Sequence, residues 1–224
     1  MDAPVTGTVE SLNVGVPRPV EVNGHTVITA IWKDPVDERL PLRGVNLRGD
    51  DQADRTVHGG PDKAVYAYGV EDTEWWEAEL GRSLGPGAFG ENLTVRGLPV
   101  SGAVIGEHWA VGSALLEVAQ PRLPCFKLGL RMGDRLFPKR FTAAGRPGAY
   151  LRVVEEGDIG PGDRIEVRSR PAHGVTSALV SRAILSEPAL LGAALEATEL
   201  PGGLREWMEE RAAAKAGRGG EDGV

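Results

Sequence analysis

Cys125 is the only cysteine of the chain, and it follows two prolines in Gln120-Pro121-Arg122-Leu123-Pro124-Cys125-Phe126-Lys127-Leu128. A strand-like run ends at the prolines, and an apolar, helix-compatible stretch begins after them. A thiol at a helix start feels the partial positive charge of unpaired backbone N–H groups, and Arg122 and Lys127 add to that effect. Thiolate is the form that attacks electrophiles and binds soft metals. The same position suits a small buried hydrophobe, the ordinary role of a free cysteine. Burial is not legible in the local residues, so both roles stay open.

Two glycine-rich loops offer anion chemistry. In His58-Gly59-Gly60-Pro61-Asp62-Lys63, adjacent glycines permit close backbone approach, and His58 and Lys63 supply donors. A tight turn feeding the apolar run from Ala64 to Tyr68 accounts for the same residues. Gly85-Pro86-Gly87-Ala88-Phe89-Gly90 matches the dinucleotide-binding pattern G-x-G-x-x-G letter for letter. Its context is wrong, because that fingerprint needs a strand before it and a helix after it, whereas here a helix precedes and strand-like Asn92-Leu93-Thr94-Val95 follows. The loop's N–H groups can still form a nest for an anion.

Other chemistries find little support. His25, His58, His108 and His173 are scattered without paired spacing, and Cys125 has no second cysteine, which argues against a zinc site. No G-x-S-x-G elbow for serine hydrolysis occurs. The five tryptophans read as core residues.

The elements that must position these residues are mostly strands. Val20 to Ile28 reads as two strands meeting at Asn23-Gly24, the pair suited to a two-residue hairpin turn. A second hairpin joins Glu107–Val111 to Ala114–Val118 across Gly112-Ser113, and Tyr150–Val154 and Arg164–Val167 supply two more strands. Glu71 to Leu80 reads as a helix stopped by Gly81, with Trp75, Trp76 and Leu80 facing the core. A helical region from Cys125 through Phe141 is expected to break near Gly133 and be kinked or interrupted near Pro138. From Thr176 to Arg211 the apolar residues recur at helical spacing, divided by Pro188 and Pro201-Gly202-Gly203 into three short helices. The pattern predicts a mainly β (α+β) fold, an antiparallel sheet closed into a barrel or folded as a sandwich, with a few peripheral helices. Residues 1–170 form the barrel domain in this reading, 171–213 a three-helix extension, and 214–224 a flexible tail.

Composition narrows the function classes. The 224 residues carry 25 Lys and Arg against 32 Asp and Glu, a net charge of -7 that disfavours a nucleic-acid polymer as partner. One cysteine excludes an internal disulfide and a four-cysteine iron–sulfur cluster, so any such cluster comes from a partner. The amino terminus lacks signal-peptide features and no apolar run reaches membrane-span length, which makes a cytoplasmic, membrane-free protein the expectation.

Three segments in order resemble a MOSC domain, the family named for the carboxyl-terminal domain of molybdenum cofactor sulfurase. They are Asp54 to Tyr66, Gly87 to Thr94, and Gln120 to Leu128. The stand-alone bacterial YiiM-type subgroup is the closest in kind, and the helices after Thr176 resemble its three-helix extension. The resemblance implies a MOSC-type β-barrel that binds a molybdenum–pyranopterin cofactor, with Cys125 as catalytic residue and molybdenum ligand. Asn92 and Arg122 match polar residues near the cofactor, and His58, Gly59, Gly60 and Lys63 match the family's loop. Gln120 and the backbone N–H groups of Phe89 and Gly90 complete the expected cofactor contacts, while Arg152 is a weaker candidate whose plainer reading is a solvated barrel arginine. Proteins of this kind reduce N-hydroxylated compounds, such as hydroxylaminopurines and amidoximes, to amines or amidines, a detoxification. An external flavoprotein or ferredoxin would supply the electrons, and a homodimer is open. The alternatives are a cofactor or sulfur carrier that uses Cys125 without turnover of its own, and an inactive binding module.

Overall fold

The computed structural model describes residues 5–53 and 59–218. The chain begins with β1 (Thr6–Val14), the hairpin of β2 (Arg18–Val22) and β3 (His25–Thr29), and the short strands β4 (Asp34–Val36), β5 (Leu40–Arg43) and β6 (Asn46–Leu47). It continues through β7 (Val65–Gly69), α1 (Val70–Leu80), β8 (Leu93–Arg96), β9 (His108–Val111) and β10 (Ala114–Gln120). The hairpin of α2 (Phe126–Met132) and α3 (Phe137–Ala144) leads into β11 (Ala149–Glu155), β12 (Gly157–Ile159) and β13 (Arg164–Ser169). Helices α4 (Ser177–Leu185), α5 (Leu191–Ala194) and α6 (Gly202–Arg218) follow.

Seven strands close into a ring in the order β1, β13, β9, β10, β11, β7, β8 and back to β1, so the sheet is a barrel and not a sandwich. Neighbours run antiparallel except β7 and β8, which are parallel. A parallel pair needs a crossover, and α1 with the glycine-rich loop after it supplies one. Strand β7 is buried along its whole length because both of its faces are covered. Val65 and Ala67 point into the barrel core, while Tyr66 and Tyr68 join Trp76, Phe89, Phe137 and Phe141 in a second, aromatic cluster beneath α1 and α3.

Local chemistry accounts for most boundaries. Asn23 and Gly24 take φ values of 51° and 79°, as the two-residue hairpin requires. Gly81 and Gly133 close α1 and α2 in the left-handed conformation. Pro138 lies in the first turn of α3, where its missing N–H has no helical partner to lose, so it starts the second helix instead of interrupting it. Glycines 202 and 203 sit inside α6, which runs 17 residues and passes the expected tail boundary. Val180, Ala183, Leu191, Ala194 and Met208 of the carboxyl-terminal helices pack into the same core as Trp109 and Leu116 of the barrel.

Three expectations about individual side chains change. Of the tryptophans, Trp76 and Trp109 are fully buried, but Trp207 is 39% exposed beneath the Arg211 guanidinium. Trp75 and Leu80 are only partly buried at the edge of the aromatic cluster. Arg152 is not a solvated arginine: it donates to Glu117 and to the Glu199 carbonyl and pairs with Asp62, tying the barrel wall to the helical extension. Among the described residues, no helix is long and apolar enough to cross a membrane.

Gly148 sits where β7, β11 and α4 meet, with φ of 64°, and a Cβ there would lie 2.5 Å from the Ala67 carbonyl oxygen. Its carbonyl also accepts the Ser177 hydroxyl. Gly148→Ala is expected to lower unfolding free energy by roughly 2–4 kcal/mol in chemical denaturation. Gly133→Ala, with similar φ but open space around it, should cost only about 1 kcal/mol.

Candidate functional site

Strand β10 ends at Gln120, and the prolines that follow turn the chain so that Arg122 and Cys125 reach one cleft. Cys125 is the residue before α2, with extended backbone angles of -127° and 173°. Its side chain makes no capping hydrogen bond, so the thiol is not committed to the helix. It is half-buried. The cleft is open to solvent and is lined from β3, β7, the glycine-rich loop and the segment around Cys125.

Arg122 is 6% exposed, and its guanidinium lies over the rings of Tyr66 and Phe141, at 5.7 and 5.6 Å from their centroids. Its Nη1 is buried without a hydrogen-bond partner. A buried cationic donor in that state is costly unless something anionic meets it. Lys63 and Lys127 line the same cleft, and burial pushes the Lys63 ammonium below its ordinary range. Tyr66 and Tyr150 complete an aromatic part of the wall, and burial pushes both phenols up, keeping them neutral.

The loop residues behave differently from their expected roles. Glu91 is 1% exposed and its carboxylate accepts the N–H of Gly87 at 2.7 Å, the N–H of Phe89 at 2.9 Å and the Thr94 hydroxyl at 3.0 Å. Burial pushes the Glu91 carboxyl up while these hydrogen bonds oppose the rise. The nest is therefore filled by the protein's own anion, and Gly90 N–H donates to the Gly87 carbonyl. Phe89 and Gly90 face the cleft, but their N–H groups are turned away from any ligand. The glycines serve backbone packing. A Cβ on Gly87 would lie 2.5 Å from the Lys33 carbonyl oxygen, and one on Gly90 would lie 3.1 Å from that of Ile31.

Asn92 lines the cleft with its amide already engaged. Its Oδ1 accepts the Tyr66 N–H at 3.1 Å, and its Nδ2 donates to the Asn13 carbonyl at 3.2 Å and to Asp50 at 2.9 Å. Asp50 is buried, paired with Lys33 and bonded by the Gly15 N–H at 2.8 Å. Asn92 thus holds the wall together rather than offering a free amide. Gln120 does not line the cleft; its Nε2 donates to the Asp62 carbonyl at 3.4 Å and steadies the turn from Pro61 to Lys63. Gly59 and Gly60 also lie outside the lining, and Gly60, with φ of 95°, starts that turn and accepts the Lys63 N–H. The turn delivers Lys63 to the cleft. His58 lies outside the described residues.

Lys33, Asp50, Glu91, Tyr66 and Tyr150 escaped functional notice in the sequence. Only Glu91, beside the glycine-rich loop, carried a local signal, namely an acid next to a potential anion nest. Among the described residues, no three His, Cys, Asp or Glu side chains gather to hold a metal ion. A metal at Cys125 would therefore find no such group among the described residues.

The MOSC domain family profile matches residues 54–166. The uncharacterized protein YflK of Bacillus subtilis is 41% identical over 175 residues, covering 78% of this chain and 79% of that protein. A protein named "Reductase" from Gibberella moniliformis is 33% identical over 182 residues, 80% of this chain but only 32% of that longer protein. The crystal structure of YiiM from Geobacillus stearothermophilus superposes with a TM-score of 0.74 at 30% identity, over 92% of this chain and 99% of that one. The same barrel, with its helical extension, thus recurs along nearly the whole of a YiiM. The Cys125 segment and both glycine-rich loops fall inside the matched residues, and on these grounds the chain belongs to the MOSC domain family.

Proposed function

We propose that the cleft binds a molybdenum–pyranopterin cofactor and that the protein reduces N-hydroxylated compounds, hydroxylaminopurines and amidoximes among them, to amines or amidines. One observation carries the reading: the buried, unpartnered Nη1 of Arg122 shares a cleft with the half-buried Cys125 thiol. The residues present fit such a group. Arg122 is suited to a phosphate because a planar guanidinium can donate two hydrogen bonds to it. Lys63 and Lys127 add positive charge, and Tyr66, Phe89 and Tyr150 offer aromatic surface for a flat heterocycle. Cys125 supplies a soft thiolate for the metal. When bound, the cofactor supplies two-electron oxygen-atom chemistry, which the protein directs but does not itself perform.

The overall reaction breaks the N–O bond, forms an N–H bond and releases water, consuming two electrons and two protons. The chain's part is to bind, orient and protonate. Lys33, held by Asp50 in the wall, lines the cleft and is the proton donor in this reading. The electrons come from an external donor, since one cysteine provides no cluster. The fungal relative named a reductase supports the reaction class.

Cys125→Ala in protein made with the cofactor is expected to abolish N-hydroxypurine reduction while changing unfolding free energy by less than about 1 kcal/mol. Retained turnover would remove the cysteine from the mechanism. A persulfide on Cys125 that passes to an acceptor, with no turnover of any N-hydroxylated compound, would establish a carrier instead.

Arg122→Met should weaken cofactor retention about ten- to a hundredfold, read as molybdenum per protein after gel filtration. The cofactor-free variant should be as stable as the parent or more so, because an uncompensated buried donor has been removed. A loss of stability with unchanged molybdenum content would make Arg122 a packing residue.

A further inference from the structure

The chain is acidic overall, yet the stretch from Arg122 to Arg146 holds seven Lys and Arg and a single acid, Asp134. This stretch builds the α2–α3 hairpin, which begins one residue after Cys125. Arg135 and Lys139 are exposed, and Arg140 is exposed with only a 3.4 Å contact to Asp134. Apolar surface accompanies the cations: Leu123, Phe126 and Leu136 are 39%, 55% and 62% exposed. Large apolar side chains in water amid like charges are the composition of an interface, not of a plain solvated helix pair.

We infer that the α2–α3 hairpin is the docking surface for an acidic electron-carrier protein, an inference that rests on the reductase reading. Charge complementarity selects the partner. Arg122 is buried in the cleft wall and Arg146 is paired with Asp72, so the hairpin itself carries Lys127, Arg131, Arg135, Lys139 and Arg140 against Asp134, four net positive charges on a chain of net charge -7, which attract a small acidic protein at short range. The rest of the surface repels a long polyanion, and the exposed apolar residues match a protein face better than a phosphate backbone. The hairpin is small, as suits transient redox encounters, which bury less than about 1,200 Å². Position completes the argument, because Cys125 and Lys127 at the start of the hairpin also line the cleft. A carrier seated there lies at the mouth of the site. Per turnover, two reduced carriers each give up one electron; with two protons from water, the N–O bond breaks, an N–H bond forms and water leaves.

The test compares the parent with the Arg135→Glu/Lys139→Glu variant. A small acidic plant-type ferredoxin is the probe, and binding is measured directly alongside substrate reduction. The parent should bind the ferredoxin at low ionic strength and lose it as salt rises. The variant should bind roughly tenfold more weakly, with a matching rise in the KM for ferredoxin. Turnover driven by reduced methyl viologen, which needs no docking, should be equal in the two proteins. Equal ferredoxin affinities, no binding by the parent, or tighter binding of the parent to a DNA duplex than to ferredoxin would each overturn the inference. If viologen drives no N–O reduction while ferredoxin binding still depends on these charges, the docking surface stands and the reductase reading falls.

Discussion

A carboxylate held away from water at Asp50 is the constraint around which the cleft is built. An isolated buried charge is costly, so a carboxylate in that place has to be paired and hydrogen-bonded. Lys33 neutralises it, Gly15 donates its N–H, and Asn92 donates its amide. Asn92 is in turn fixed by Tyr66 of β7 and by Asn13 of β1. One negative charge thereby ties together the end of β1, the stretch after β3, the start of β7 and the approach to β8. Losing any partner would leave a polar group unsatisfied in a place water cannot easily reach.

Glu91 applies the same logic to the glycine-rich loop. By accepting the N–H groups of Gly87 and Phe89 it turns the loop's donors inward, and the surface left toward the cleft is ring and backbone. The cationic groups around the cleft come from elsewhere, from Lys33 after β3, from the turn at Pro61 to Lys63, and from Arg122 and Lys127 on either side of the start of α2. The division gives the cleft an aromatic part and a charged part, each supported by its own buried network. The second hydrophobic cluster backs the aromatic part, with Phe89 stacked on Tyr68 at 4.2 Å.

What the sequence made legible is what short-range chemistry determines. Asn23-Gly24 announced its hairpin because few residue pairs accept two positive φ values, and Gly81 and Gly133 announced helix ends for the same reason. Cys125 stood out through uniqueness and its prolines, and Arg122 came with it. Pro138 was misread because the same residue breaks a helix in its interior and starts one in its first turn. Asp50 and Lys33 stayed hidden because their meaning is long-range: they are 17 residues apart in irregular sequence, and neither has a motif. The nest before Glu91 was recognised as an anion site, but its occupant, the next residue along, was not. Gln120 and Asn92 sit inside recognised segments, and the segments alone do not say whether an amide faces a ligand or a neighbouring backbone.

The barrel's strand count has a consequence of parity. Directions can alternate around a closed ring only if the number of strands is even. With seven strands, an odd number of neighbouring pairs must run the same way, and here that pair is β7 and β8. Same-way neighbours cannot be joined by a tight turn, so the chain has to travel back across the barrel's outside between them. The returning segment carries α1 and then the loop whose Phe89 and Gly90 form one flank of the cleft. An eighth strand would restore alternation and remove the need for that return, so in this barrel the odd count and the existence of the flank are a single topological fact.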